Sequence, residues 1–195
     1  NNAIAFAKIV DDIGLPRGVF NLVLGRGETV GQELAGNPKV AMVSMTGSVG
    51  AGEKIMAAAA KNITKVCLEL GGKAPAIVMD DADLELAVKA IVDSRVINTG
   101  QVCNCAERVY VQKGIYDQFV NRLGEAMKAV QFGNPAERND IAMGPLINAA
   151  ALARVEQKVE RAVQEGARVV LGGKAVAGKG YYYPPTLLLD VRQDM

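Results

Sequence analysis

The 195-residue sequence contains no histidine and only three cysteines. Without histidine, this stretch of chain cannot supply a Cys–His catalytic dyad or the usual zinc sites. Cys103 and Cys105 are separated by one residue, which is too close for the C-x-x-C pairs of zinc sites. An odd number of cysteines argues against a disulfide scaffold and favours a reducing compartment, so we expect a cytoplasmic protein.

The sequence also lacks a strong excess of either charge and any long apolar run. Its 22 basic and 21 acidic residues give a net charge of +1, which does not indicate binding to nucleic acid or to an anionic membrane. No apolar run approaches the roughly 20 residues that a membrane-spanning helix needs. We therefore expect neither nucleic acid nor a membrane as a partner. Because the chain starts at Asn1 inside a helical pattern, we expect it to be an internal piece of a longer protein.

The first seventy residues alternate between helical and strand patterns. Apolar residues at helical spacing predict a helix over 4–13, which Gly14 and Pro16 would end. The other predicted elements are strands at 19–24, 40–45 and 64–68, a short helix that stops near Gly36, and a helix from Ser48 to Ala60. Such βαβα alternation implies a parallel sheet.

A second unit is predicted to start after Leu70. Its elements are strands at 75–79, 108–111, 167–171 and 187–189, and helices at 83–98, 116–130 and 148–165. The sequence therefore predicts the α/β fold class, with one unit over residues 1–70 and another over 71–195.

A thiol lies at the junction between a predicted helix and a predicted strand, in the stretch Asn98-Thr99-Gly100-Gln101-Val102-Cys103. Gly100 can adopt backbone angles that residues with a Cβ avoid. A cysteine on such a turn is held from both sides while its sulfur faces a cleft, a good geometry for a nucleophile. The alternative is that Cys103 is a small buried hydrophobic residue, as free cysteines often are.

A carboxylate interrupts the apolar strand Val66-Cys67-Leu68-Glu69-Leu70, and two glycines follow it. A charge buried in a strand interior requires a charged or hydrogen-bonding partner, or else has a catalytic role. Glu69 is therefore a candidate for a raised pKa and for the role of general base.

Together, Glu69-Leu70-Gly71-Gly72-Lys73 and Gly100-Gln101-Val102-Cys103 resemble the paired active-site motifs of the NAD(P)-dependent aldehyde dehydrogenase superfamily. The resemblance extends over essentially the whole sequence, which corresponds to the middle of a family chain. It implies the second half of a Rossmann-like NAD-binding domain over 1–70, then the first part of a catalytic α/β domain over 71–195. It also implies NAD as cofactor, with NADP not excluded, and a homo-oligomeric parent protein.

The same resemblance implies roles for the residues of the two motifs. The Cys103 thiolate would attack the aldehyde, and Glu69 would activate the water that releases the acid. Asn104 would reach the polar tail of the substrate. The stretches 103–108 and 181–186 resemble members that oxidise small aldehydes or hydroxyaldehydes such as lactaldehyde or glycolaldehyde.

A phosphate-binding candidate is Thr46-Gly47-Ser48, which opens the helix ending at Ala60. Ser48 stands at an N-cap position, where unpaired amides can accept a phosphate, although Ser is also a common ordinary cap. The resemblance implies that Ser48 contacts the cofactor pyrophosphate, with Thr46 and Gly47 beside it. The other cofactor contacts implied by the family are Gly27, Gly31 and Gln32 at the adenine, Leu70 after the base, and Arg154 near the nicotinamide ribose.

The sequence is also compatible with three other interpretations. The acidic residues Asp80, Asp81 and Asp83 could suggest a metal site, but carboxylates at a helix N-terminus are favourable because of the helix dipole, so we expect none. A coenzyme A-acylating branch of the same superfamily generally lacks the residue that Glu69 matches. The third is a non-catalytic assembly domain in which Cys103 is inert.

Overall fold

The computed structural model describes residues 2–195, and it confirms the α/β class with parallel strand pairs. The chain divides into two compact units between Gly71 and Gly72. Over the described residues, no helix combines the length and apolar character needed to cross a membrane.

The first unit is built on two parallel strands joined by a helix. Its elements are α1 (Asn2–Asp12), α2 (Gln32–Gly36), β1 (Met42–Thr46), α3 (Val49–Ala60) and β2 (Lys65–Glu69). Strands β1 and β2 pair in parallel, with Met42 opposite Lys65 at one end and Thr46 opposite Glu69 at the other. A parallel pair needs a crossover connection, and α3 provides it, as the sequence pattern predicts.

The strand predicted over residues 19–24 is wrong for this structure. These residues form no ladder, and the side chains of Val23 and Leu24 are 62% and 64% exposed. A strand is defined by its hydrogen-bonded neighbour, and none of the six strands in the described part of the chain pairs with this segment. An apolar, β-branched composition alone therefore does not produce a strand here.

The second unit contains a parallel pair, a separate antiparallel pair and three long helices. Its elements are β3 (Ala74–Val78), α4 (Leu84–Val96), β4 (Ala106–Val111), α5 (Tyr116–Lys128), α6 (Ala149–Gln164), β5 (Arg168–Leu171) and β6 (Leu187–Leu189). Strand β3 runs parallel to β4, and β5 runs antiparallel to β6.

The core of the second unit lies where α4 and α5 pack on the β3–β4 pair. Phe119, Leu123 and Met127 recur every four residues along α5 and are all buried. They meet Val88 of α4 and Val78 of β3 in one cluster. This arrangement fixes both ends of the segment that links α4 to β4, which carries Cys103.

Three helices begin at a residue whose side chain accepts a hydrogen bond from the first turn. Ser48 Oγ accepts from Ala51 N at 3.3 Å, and Asp83 Oδ1 accepts from Leu86 N at 3.1 Å. Asn148 caps α6 in the same way, at 2.8 Å from the backbone nitrogen of Ala151. Capping accounts for Asp83 in the acidic cluster, because its carboxylate satisfies an otherwise unpaired amide.

A second cluster in this unit forms around Tyr183, which is buried with Leu146 and Ala151. Burial raises the pKa of the Tyr183 hydroxyl to about 12, and the charges of Glu156 and Glu160 add to the effect. The tyrosine-rich stretch 181–183 thus contributes a packing residue to the start of α6.

Candidate active site

Cys103 lies on the loop between α4 and β4, and its side chain is exposed. Cys105, two residues later, is only 2% exposed and belongs to the buried side of the same loop. The alternative of a buried, packing cysteine therefore describes Cys105 and not Cys103. Cys103 is thus the exposed thiol of this loop.

The backbone before Cys103 is strained. After α4 ends at Val96, Asn98 and Thr99 have φ angles of 47° and 59°, and Gly100 follows at 74°. Glycine adopts this left-handed region without cost and asparagine tolerates it, but a β-branched threonine there is an outlier. Such strain persists only where the surrounding structure determines it, and it concentrates at functional sites.

Gln101 fixes this strained turn to a neighbouring loop. Its side-chain Nε2 donates to the Asn98 carbonyl at 3.0 Å, and its Oε1 accepts from the backbone nitrogen of Ile147 at 2.9 Å. Thr99 Oγ1 adds a third bond, to the Gly144 carbonyl at 3.1 Å. Gln101 and Thr99 could not be identified from the sequence as positioning residues, because Gly144 and Ile147, which they bind, lie more than forty residues further along the chain.

Two glycines permit close approaches on either side of the thiol loop. A β-carbon at Gly72 would overlap the backbone carbonyl of Cys103. At Gly100 a β-carbon would lie 2.7 Å from Nη2 of Arg95, so the guanidinium packs directly over the turn. Gly72 is thus a glycine because another piece of main chain occupies the space where a side chain would be.

A cluster of charged residues surrounds the base of this loop. Lys73 Nζ lies 3.0 Å from Oε1 of Glu107, and Arg108 Nε donates to the Lys73 carbonyl at 3.1 Å. Partial burial acts to raise the pKa of the Glu107 carboxyl. The hydrogen bond and charge of Lys73, with the charges of Arg95 and Lys158, outweigh that effect, so the pKa lies below its ordinary value.

Glu69 is the last residue of β2, and its side chain is exposed. The expectation of a carboxylate buried in the middle of a strand is therefore wrong for this chain, because β2 stops at Glu69 and leaves the side chain at the strand's end. The backbone places Glu69 opposite Thr46, and Gly47 N donates to the Glu69 carbonyl at 2.9 Å. The carboxyl ends of β1 and β2 thus bring Glu69 beside the Thr46-Gly47-Ser48 segment, at the edge where α/β sheets bind ligands.

The N-terminus of α3 suits a phosphate group. Ser48 caps this twelve-residue helix, and its side chain is exposed beside the first amides. Leu70 packs against the first turn, where a β-carbon at Gly52 would lie 2.9 Å from its Cδ2. The predicted cofactor contacts Thr46, Gly47, Ser48 and Leu70 therefore meet at one end of the first unit.

A cleft of about 430 Å³ lies between α2 and α3. Its lining residues are Glu28, Thr29, Gln32, Glu33, Gly36, Ala58 and Lys61. Gln32, predicted to lie at the adenine, is among them, while Gly27 and Gly31 open and close the helical turn that precedes α2. A β-carbon at either glycine would meet nothing within 4 Å, so there is free space beside the turn. Ala58 and Lys61 place the cleft beside the C-terminal end of α3, away from the N-terminus that Ser48 caps.

The remaining predicted site residues lie in the second unit. Asn104 is exposed next to Cys103, as its position in the sequence requires. Arg154 is exposed in α6, whose first residues follow the loop that Gln101 contacts. Cys67, the third thiol, is exposed on β2 in the first unit. Each unit thus carries its own share of the predicted residues: Glu69 and the Ser48 segment in the first, Cys103, Asn104 and Arg154 in the second.

Comparison with known proteins gives a family for the whole chain. A model of the aldehyde dehydrogenase family matches residues 1–195. The chain is 94% identical over 195 residues to lactaldehyde dehydrogenase of Escherichia coli (strain K12), covering 100% of this chain and 41% of that protein. A crystal structure of lactaldehyde dehydrogenase from Escherichia coli superposes with a TM-score of 0.98, over 100% of this chain and 41% of that one.

More distant relatives share the same fold and differ in the cofactor that they are named for. The chain is 46% identical over 190 residues to an NADP(+) succinate-semialdehyde dehydrogenase of Escherichia coli (strain K12), covering 97% of this chain and 39% of that protein. A betaine aldehyde dehydrogenase from Staphylococcus aureus, solved in complex with NAD+, matches with a TM-score of 0.93 and 36% identity, over 99% and 39% of the two chains. The chain therefore spans about two fifths of the length of the relatives that it matches.

Proposed function

Because the chain belongs to the aldehyde dehydrogenase family, we propose that the longer protein carrying it oxidises a small aldehyde to its carboxylic acid. The observation that carries the proposal is the exposed Cys103 on a strained loop that hydrogen bonds hold in place. Cys67 is also exposed, but it lies on a regular strand without these constraints. The pairing of Cys103 with Glu69 in one reaction rests on the two sequence motifs.

In the first step the Cys103 thiolate attacks the aldehyde carbonyl carbon. A carbon–sulfur bond forms, and the carbonyl electrons move to the oxygen, which the backbone N–H of Cys103 would help to hold. One donor of this kind is worth roughly 3 kcal/mol of transition-state stabilisation. These 195 residues supply no histidine, so a helix end or the positive charge of a bound nicotinamide would favour the thiolate.

A bound nicotinamide cofactor would accept the hydride that leaves the substrate carbon. In the last step Glu69 takes a proton from water, and the water oxygen attacks the thioester carbon. The carbon–sulfur bond then breaks, which releases the acid and regenerates the thiolate.

Residues of the first unit would hold the pyrophosphate of such a cofactor. The capped N-terminus of α3 offers amides and the Ser48 hydroxyl to a pyrophosphate, with Thr46 and Gly47 beside them. The family resemblance assigns Gly27, Gly31 and Gln32 to the adenine, and Arg154 of the second unit to the nicotinamide ribose. We assign NAD as the cofactor, and NADP remains an alternative because the relatives are named for both.

The substrate that we propose is a short hydroxyaldehyde such as lactaldehyde or glycolaldehyde. The 94% identity to a lactaldehyde dehydrogenase supports this choice over the semialdehydes of the more distant relatives. Asn104, exposed beside the nucleophile, would hydrogen-bond the substrate hydroxyl. The three free thiols favour a reducing compartment such as the cytoplasm, and we expect a homo-oligomer.

Substitution of Cys103 in the full-length protein tests the proposal. We expect Cys103→Ala to abolish NADH formation from lactaldehyde and glycolaldehyde while NAD binding stays unchanged, because the thiol forms a covalent bond and does not hold the cofactor. Cys67→Ala is the matched control, since it removes another exposed thiol and should keep full activity. Retention of more than a few per cent of activity in Cys103→Ala would remove that residue from the nucleophile role.

A further inference from the structure

Glu107 occupies a bulge in the parallel pair of β3 and β4. Ala74 lies opposite Ala106, but the next residue, Pro75, lies opposite Arg108, so Glu107 has no partner on β3. Pro75 has no backbone N–H to donate, and proline inside a sheet is tolerated at such irregularities. A bulge bends its strand and redirects a side chain, and bulges are common next to active sites.

The redirected side chain of Glu107 reaches the residue that precedes β3. Its carboxylate pairs with Lys73 at 3.0 Å, and Arg108, the next residue, holds the Lys73 carbonyl at 3.1 Å. Lys73 has a φ of 55°, a left-handed conformation that L side chains adopt only when other contacts impose it. Two consecutive residues of β4 therefore hold one strained residue by both its side chain and its main chain.

Lys73 is adjacent to Gly72, and Gly72 lies against the main chain of Cys103. Between Cys103 and Glu107 there are only three residues. The contact between Gly72 and Cys103 and the ion pair between Lys73 and Glu107 therefore close a small ring, which includes residues 103–107 of the thiol loop. A shift of Lys73 would move the adjacent Gly72, and Gly72 would displace the Cys103 carbonyl that it contacts.

We propose that Lys73, Glu107 and Arg108 form a latch that positions the Cys103 main chain for the reaction. These are positioning residues, and their role in turnover rests on the function proposed above. The Lys73 and Glu107 side chains are 62% and 39% exposed, and ion pairs at that exposure contribute little to global stability. The effect of breaking the latch should therefore appear in the geometry of the loop and leave the unfolding temperature almost unchanged.

The test uses the full-length protein with two substitutions of opposite charge effect, Lys73→Met and Glu107→Gln. If the pair acted only through its electric field on the thiol, the two variants would change turnover in opposite directions. The latch predicts that both lower kcat, on the order of tenfold, because displacement of a reacting group is costly whichever partner is lost. KM for the aldehyde should change by less than about twofold, since substrate binding is not altered.

Two further variants complete the design. The charge-swapped double variant Lys73→Glu with Glu107→Lys should restore most of kcat, because it rebuilds the pair. Lys89→Met removes an exposed ion pair with Asp93 on α4 and should have no effect. Opposite changes in kcat for the two single variants, unchanged kcat, or a swap that fails to recover activity would each overturn the latch.

Amide hydrogen exchange separates the latch from the proposed function. We expect faster deuterium uptake in the peptide covering residues 98–108 for both single variants, and wild-type uptake for the swap and for Lys89→Met. This readout requires no turnover, so unchanged exchange would overturn the latch whether or not the wild type oxidises aldehydes. Absence of aldehyde oxidation by the wild type would instead count against the proposed function alone.

Discussion

A β-carbon added at Gly72 would overlap the backbone carbonyl of Cys103, whereas one added at the neighbouring Gly71 would meet nothing within 4 Å. Gly72→Ala must therefore displace either the thiol loop or the chain before β3. Displacement of the nucleophile by about 1 Å can reduce the rate by on the order of a hundredfold. We expect that loss in kcat for Gly72→Ala in the full-length protein and less than a threefold change for Gly71→Ala, measured as NADH formation. Equal activity of the two variants would contradict the close approach.

Glu69 is assigned to the second half of the reaction, so its removal should slow the two steps unequally. Glu69→Gln keeps the shape of the side chain but cannot accept a proton from water. We expect rapid mixing with saturating aldehyde to show a normal burst of NADH followed by a steady state that is slower by on the order of a hundredfold. Glu125→Gln on the exposed face of α5 serves as the control. If the burst itself disappears, Glu69 acts before thioester formation.

The residues of this site differ in how far the sequence could predict them. The thiol between a helix and a strand, and the glycine before it, are local features, and the structure places Cys103 exposed on such a turn. The left-handed Thr99 could not be predicted, because threonine disfavours that conformation and the bonds that impose it come from Gly144 and Ile147. The burial predicted for Glu69 was wrong, because an apolar run does not reveal where its strand ends.

At the scale of single elements, helices followed the sequence because their signals are local. The α4, α5 and α6 helices lie within two residues of the predicted bounds, with Asp83 and Asn148 as caps. Strands were harder to predict, because each strand depends on a hydrogen-bonded partner strand elsewhere in the chain. The segment 19–24 has strand composition but no ladder, and the bulge at Glu107 follows from the register of β3 against β4, which a single stretch of sequence does not encode.

The α3 N-terminus allows capping to be separated from cofactor binding. Loss of an N-cap side chain costs about 1 kcal/mol wherever it occurs. We therefore expect Ser48→Ala and Asn148→Ala to lower the stability of the full-length protein by similar amounts, since both caps accept a bond from the third residue of their helix. Only Ser48→Ala should also weaken NAD binding, by several-fold in calorimetric titration, because one hydrogen bond to a charged phosphate is lost. If Ser48→Ala binds NAD as tightly as the wild type, Ser48 only caps the helix and does not contact the cofactor.

At the scale of the whole chain, the described residues leave much apolar surface exposed. On α1, Ile4, Phe6 and Ile9 are each more than half exposed, and so are Val23 and Leu24 further along the chain. Contiguous apolar patches beyond a few hundred square ångströms are rare on monomeric proteins and mark interaction surfaces. The three sheets have only two strands each over residues 2–195, and two-stranded sheets are marginal by themselves.

These properties predict the behaviour of the 195-residue chain when it is produced alone. We expect it to self-associate through the exposed surface of α1 and the unpaired edges of β1 and β2, because unpaired strand edges and apolar patches recruit further copies. We also expect it to form no NADH from lactaldehyde, since it spans only 41% of the length of the lactaldehyde dehydrogenase that it resembles. Light scattering would give the mass, and calorimetric titration with NAD would give the affinity. Replacing Phe6 and Ile9 by Lys should reduce the mass without changing the helix content measured by circular dichroism. A wild-type chain that is monomeric and binds NAD tightly would show instead that this part of the protein is a self-sufficient cofactor-binding unit.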